Sequence, residues 1–194
     1  MPTHVALLRG INLGGHNKVA MADLRQLVAS LGHTDVVTYI QSGNVVFSSE
    51  QADTGALASG LEQAIAADLG LQIRVVVISR EELAQVMRDT PFPDEPNPKM
   101  VHAVFLSGQP GPDLEERLSA ARQRAAEKQP GHGDTAQVIG RTIFVHTPDG
   151  FGRSELASQI VQAAAKAKAG GVVGTARNWA TVTKLLAMCD DLPG

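Results

Sequence analysis

Cysteine is nearly missing from this chain: one residue of 194, Cys189. A single thiol excludes an internal disulfide and a cysteine-rich zinc site, and it agrees with a reducing compartment. Aromatic residues make up only 4%, which disfavours a surface built on stacked bases. Positive charge is not in excess either. The 17 basic and 20 acidic residues give a formal charge of -3, so general coating of duplex DNA is excluded and any polyanion site must be a local basic patch. There is no apolar run of about 18 residues, and the N-terminus has neither the apolar core nor the small-residue cleavage pattern of a secretory signal. A soluble, cytoplasmic protein that does not enter membranes is the expectation.

Catalytic signatures are also missing. The six histidines, His4, His16, His33, His102, His132 and His146, show no HExxH or paired-ligand spacing. No GK[ST] follows a glycine loop, no dinucleotide fingerprint occurs, and no GxSxG elbow is present. No cofactor and no metal are expected.

What is present is a patterned α+β chain with 43% hydrophobic residues, enough for one domain or two small ones. Val5 to Leu8 reads as a buried strand. Leu24, Leu27, Val28 and Leu31 fall at i, i+3, i+4 and i+7, the stripe of a helix ending near Gly32. Val36 to Ile40 and Val45 to Ser48 form a hairpin around Gln41, Ser42, Gly43 and Asn44. A second helix carries Leu57, Leu61, Ile65 and Leu69, and a strand follows from Ile73 to Ile78. The order is βαββαβ, that of a ferredoxin-like unit. Ser79 and Glu82 suit a capping box for a short helix holding Leu83, Val86 and Met87.

Pro91, Pro93, Pro96 and Pro98 deny the next segment both helix and central strand, making 91–99 the expected linker between a first half, 1–90, and a second, 100–194. The pattern then recurs. It gives a strand over Val101 to Leu106, a helix around Leu114, Leu118 and Ala121, and strands at Gln137 to Ile139 and Thr142 to His146 turned by Gly140 and Arg141. Helices over about Ser154 to Lys168 and Ala176 to Met188 follow. The second half lacks a clear fourth strand, for which Val172 and Val173 are the candidates.

The stretch LLRGINLGGHNKVAMADLRQL, from Leu7 to Leu27, says most about function. An apolar strand runs into a polar loop with Arg9, Asn12, Asn17 and Lys18, and such a loop is expected to need stabilisation other than core burial. Gly10, Gly14 and Gly15 allow backbone conformations that expose N–H groups, and Arg9 and Lys18 add charge, a composition suited to phosphate or carboxylate. The plainer alternative is an internal ion pair for Arg9 and simple turns. At the hairpin tip Gln41, Ser42 and Asn44 offer donors and acceptors, some of which turn chemistry alone explains. Tyr39 could present a ring to a base, or it could be a sheet residue like Phe47. In PDGFGRSEL, Ser154 is a good N-cap, which accounts for that motif without a ligand.

In the last expected helix Trp179, Val182, Leu186 and Cys189 share a core stripe, so Cys189 should be buried and inert. Arg177, Thr181 and Lys184 share another face. Arg177 is expected in the first helical turn, where the dipole disfavours a cation and an anionic partner would offset that cost. Asp23 is explained by its own helix dipole.

The segments LLRGINLGGHNK, MADLR, TYIQSGNVVF, GFGRSEL and TARNWATVTKL together resemble the successive signatures of the domain-of-unknown-function 1697 family, across nearly the whole chain. The resemblance implies a two-part α+β fold and a soluble bacterial protein, and it carries no established activity. Glu155 departs from the pattern, since resembling members often carry a basic residue there.

The reading from sequence is thus two ferredoxin-like βαββα(β) halves joined by a proline-rich linker, with a C-terminal helix. A phosphate-bearing ligand, such as a nucleotide or short RNA, is expected in a groove between them, lined by Arg9, Asn12, Lys18, Gln41, Asn44, Arg177 and Lys184. An enzyme acting on a small anionic substrate and a protein-interaction module are the alternatives.

Overall fold

A computed structural model describes residues 3–166 and 171–191. The chain divides into two compact units, Met1–Gln85 with Thr183–Gly194, and Val86–Val182. The first contains β1 (His4–Leu8), α1 (Met21–Ser30), β2 (Thr34–Tyr39), β3 (Asn44–Ser48), α2 (Thr54–Leu69) and β4 (Val75–Ser79). Its antiparallel sheet has the order β2-β3-β1-β4. Alternate residues Ala6, Leu8, Val45, Phe47, Val75 and Val77 pack with Leu24, Leu27, Val28, Leu57, Leu61 and Ile65 in one core, as a period of two on strands and 3.6 on helices requires. Leu31 lies outside that core. It is the C-cap of α1 and 41% exposed, because the helix has already ended before Gly32 turns the chain at φ +87.

The helix ends follow side-chain chemistry. Asp53 caps α2 by accepting from the Gly55 and Ala56 amides, at 2.8 and 3.1 Å, and Gly70 closes it in the left-handed region. The capping box is reciprocal. The Glu82 amide donates to Ser79 Oγ at 3.0 Å and the Ser79 amide to Glu82 Oε2 at 2.9 Å, starting α3 (Arg80–Arg88). The unit division falls inside α3 and again inside α6 (Trp179–Asp191).

The second unit repeats the plan with β5 (Val101–Leu106), α4 (Pro112–Lys128), β6 (Thr135–Ile139), β7 (Thr142–His146), α5 (Glu155–Ala165) and β8 (Gly174–Asn178). Its sheet order is β6-β7-β5-β8. A fourth strand therefore exists, and it takes residues 176–178 from the expected final helix. Backbone groups along β5 need partners on that side, and they find them in the pairs Val104↔Ala176, Ala103↔Arg177 and His102↔Asn178. Val173 leads into this strand, its amide bonded to Ser107 Oγ at 3.0 Å. Ser154 caps α5 through the Ala157 amide at 2.9 Å, and Glu155 binds Lys128 Nζ at 2.9 Å. That helix ends at Ala165 with Lys166, in extended conformation, as its C-cap, so the expected helix stops short there, and the remaining positions to Lys168 lie outside the described residues.

The proline-rich segment is not a loose tether. Phe92 stacks on His146 with ring centroids 5.0 Å apart, and Glu95 Oε2 lies 2.7 Å from His146 Nε2. The Asn97 amide donates to Glu95 Oε1 at 3.0 Å. These bonds hold the Glu95 carboxyl below the ordinary carboxylate range, the Asn97 amide contributing most and His146 next. Proline supplies the rigidity, and His146 on β7 the anchor.

His102 on β5 lies against Phe151, ring centroids 3.7 Å apart, and its Nδ1 is buried with no hydrogen-bond partner among the described residues. Burial lowers its pKa from 6.5 to about 4. Below 6.5 the unfolded imidazole takes a proton that the folded one refuses until about 4, so stability is full above this window and falls as pH drops through it. The loss is of the order of 2–3 kcal/mol. Denaturant titrations at several pH values should show wild type losing that much more stability than His102→Phe between pH 7 and pH 4; parallel curves would disprove the assignment.

Candidate functional site

Antiparallel pairing of β1 with β3 sets Leu7 opposite Asn44, and the Leu8 amide donates to the Gly43 carbonyl at 2.8 Å. The RGIN loop thus leaves the sheet beside the hairpin tip. Asn12 joins the two. Its Nδ2 donates to Val19 O at 3.0 Å and Gln41 O at 2.8 Å, and its Oδ1 accepts from the Val19 amide at 2.9 Å. Asn17 Nδ2 closes the loop onto Gly10 O at 3.0 Å.

Core burial contributes too, contrary to expectation. Ile11 and Val19 are 1% and 4% exposed and belong to the first unit's core, so an apolar residue anchors the loop at each end. Ile11 stands between Gly10 and Asn12, and Val19 follows Lys18 at the end of the polar stretch, which is the trace that sequence offers. Between them Leu13, Gly14, Gly15, His16, Asn17 and Lys18 are exposed.

The expected site residues fall into three groups. Asn12 and Asn44 are structural: Asn44 is fully buried, with Nδ2 donating to Tyr39 O at 2.9 Å and Ser42 Oγ at 3.1 Å. Lys18 and Gln41 are exposed, Arg9 is half-buried, and Lys18, Gln41, Asn12 and Gly15 line one shallow depression with Val19, Ala20 and Asp23. Tyr39 is half-buried at the end of β2. Lys184 is exposed on α6 and does not line that depression.

Arg177 requires a correction. It lies on β8, before the helix, so the dipole argument that singled it out does not apply. Its side chain is 7% exposed overall, and Nη1 donates to Thr175 Oγ1 at 2.9 Å and Ala176 O at 2.8 Å. Burial lowers its pKa to about 10, which leaves it charged at neutral pH. Cys189 is fully buried, and burial pushes its thiol up to about 11, so little thiolate forms near neutrality. No group of three His, Cys, Asp or Glu side chains among the described residues is placed to hold a metal.

Two residues at the hairpin tip are conformationally unusual. Gly43 has φ +79, and a Cβ there would lie 2.7 Å from Ile11 Cδ1 and 2.8 Å from Leu8 Cβ. Ile40, β-branched and 49% exposed, is held at φ +49, a conformation such residues rarely adopt.

The fold and this loop define a class: a protein of two α+β units, each built on a four-stranded antiparallel sheet, with an exposed glycine- and asparagine-bearing loop on the first. The chain belongs to the family described as "Protein of unknown function (DUF1697)", whose model matches residues 1–144. No curated protein matches it. Among solved structures it is similar to the conserved bacterial protein SP0830 from Streptococcus pneumoniae, at 24% identity and a TM-score of 0.71, over 97% of this chain and 98% of that one. No helix among the described residues is long and apolar enough to cross a membrane.

Urea denaturation should separate the roles of these residues. Gly43→Ala, which meets both strain and collision, should cost about 3 kcal/mol, and Gly15→Ala, at φ +84 with open space around it, about 1 kcal/mol. Equal losses would mean that the loop does not pack on the tip. Ile40→Asn should gain about 1 kcal/mol by relieving the left-handed strain; a loss would place the Ile40 side chain in the fold's own packing.

Proposed function

We propose that the first unit binds a phosphate-bearing ligand, a nucleotide or a short RNA segment, in the depression beside the RGIN loop, and that both units are ferredoxin-like. The fold reading is supported by βαββαβ order with β1 and β3, and β5 and β7, as the central strands. The binding reading is carried by one observation. Helix α1 starts at a residue with no capping side chain, Ala20, and Ala20 lines the same depression as Lys18, Gln41 and Gly15. First-turn amides left without a side-chain acceptor suit an anion, and Lys18 adds a full charge. Asp23 on the same depression opposes an anion and directs it toward Lys18. Arg9 supplies more distant positive charge. Neither Arg177 nor Lys184 is needed. A bacterial, cytoplasmic setting accords with the single, buried cysteine.

A second reading, a protein-interaction module, is favoured by Leu13 and Ile40, which are 65% and 49% exposed. Each adjoins a residue of the Asn12–Gln41 bond, so both belong to the same loop pair.

A thermal-shift screen with nucleotides, sugar phosphates and short RNAs decides between them. A true ligand at about a hundred times its dissociation constant should add roughly 2.7 kcal/mol. Lys18→Glu should weaken that ligand by about tenfold or more, with the ligand-free melting temperature unchanged because Lys18 is exposed. No shift with any probe, or undiminished binding by Lys18→Glu, would overturn the anion reading. Loss of partner capture on Leu13→Ser and Ile40→Asn would then support the second.

A further inference from the structure

In the second unit, independently of the RGIN loop, β6 ends its sheet and pairs with β7 alone. The two-residue turn of Gly140 and Arg141 makes Ile139 and Thr142 a hydrogen-bonded pair. Alternation along the register then directs Gln137 toward β7 and turns the N–H and C=O groups of Ala136 and Val138 outward. Arg122 on α4 agrees with this direction, since its Nη2 reaches Ala136 O over a long 3.4 Å. Native sheets blunt such open edges. The corresponding edge of the first unit, β2, does so: its register shifts between Thr34 and Val37, Asp35 sits at φ +52, and Arg25 donates to Thr38 Oγ1 at 2.7 Å. Strand β6 has an unbroken register and neither proline nor charge in its sequence, TAQVI.

A pocket of about 360 Å³ opens beside that edge, with Ala125, Ala126, Ala136 and Leu156 as its apolar walls. Ala136 and Val138 face the unit's core, so a residue paired opposite Ala136 on an added strand points its side chain to the same face, into the pocket. Asp134 buries both carboxylate oxygens, and the permanent charge presented at the pocket is that of Arg122, an exposed side chain. We infer that β6 is a docking edge for an extended peptide of another protein, which adds a fifth strand, seats a large apolar side chain in the pocket and sets a carboxylate on Arg122. An incoming N–H takes over Ala136 O, and the guanidinium so released pairs with the acid. A second copy of this chain is a poorer occupant. On the relevant face its β6 carries Ala136 and Val138, which already pack against its own core.

Peptides selected on the whole protein from a displayed random library are the probe. Those recovered should combine a large apolar residue with a nearby acid. Ala126→Trp, which fills the pocket from an exposed position, and Arg122→Glu, which reverses the charge, should each weaken a synthetic copy of the selected peptide by about tenfold or more. Melting temperatures should stay unchanged, because both positions are exposed. Hydrogen exchange read by NMR separates strand addition from pocket filling: the bound peptide should slow exchange of the Val138 amide by about tenfold or more, which a ligand held by the pocket alone would not do. A selection without that pattern, binding that survives either substitution, an unprotected Val138 amide in the complex, or self-association of the free protein that Val138→Pro abolishes would each overturn the inference.

Discussion

The hydrogen bond from the Leu8 amide to the Gly43 carbonyl ends the ladder between β1 and β3, and the first unit's surface depends on it. It sets the exit of one strand beside the entry of the other, so two segments about thirty residues apart in sequence meet. Their close approach then requires Gly43, because Ile11 and Leu8 occupy the space a side chain would take. Once Ile11 is seated there, Asn12 comes within reach of both Gln41 and Val19. The loop is held by a short chain of necessities, each created by the one before.

That chain explains which residues could be read in advance. Helices and strands were legible wherever burial is periodic, as in the Leu57, Leu61 and Ile65 stripe of α2. Caps were legible because they are local: Ser79 with Glu82, and Ser154, act within four residues. The RGIN loop and the hairpin tip lie together because β1 and β3 are neighbours in the sheet. Their roles were not legible. Whether an asparagine amide faces solvent or a carbonyl depends on the path of another segment, and Asn12 and Asn44 both turn inward.

The misplacement of Arg177 has the same origin. The polar–apolar–polar run Thr175, Ala176 and Arg177 is too short to announce a strand by its own sequence. The open side of β5 settles their conformation by offering a row of unpaired backbone groups. Long-range pairing overrode local preference, and a residue chosen for its helix-terminal position became a buried strand residue. The proline-rich segment also takes its conformation from distant residues. Prolines exclude regular structure, but they do not make a chain mobile when Phe92 and Glu95 both find His146.

The two units provide an internal control for the loop itself. Leu106 donates its amide to Arg141 O at 2.9 Å where Leu8 donates to Gly43 O, and Ser107 donates to Val173 O at 2.8 Å where Arg9 donates to Arg74 O. The strands leave their sheets by the same backbone plan. Yet the second unit connects β5 to α4 with Ser107 to Gly111, whereas the first takes Arg9 to Ala20 to reach α1. The same architecture therefore closes with a much shorter connection. Closing the longer one costs additional chain entropy and uses four left-handed residues with exposed positions, Gly10, Gly14, Gly15 and Asn17. Ile11, Asn12 and Val19 hold the loop rigid against that cost. The second unit closes the same architecture without the extra length, and the ligand site proposed above is placed where that length exposes its backbone and Lys18.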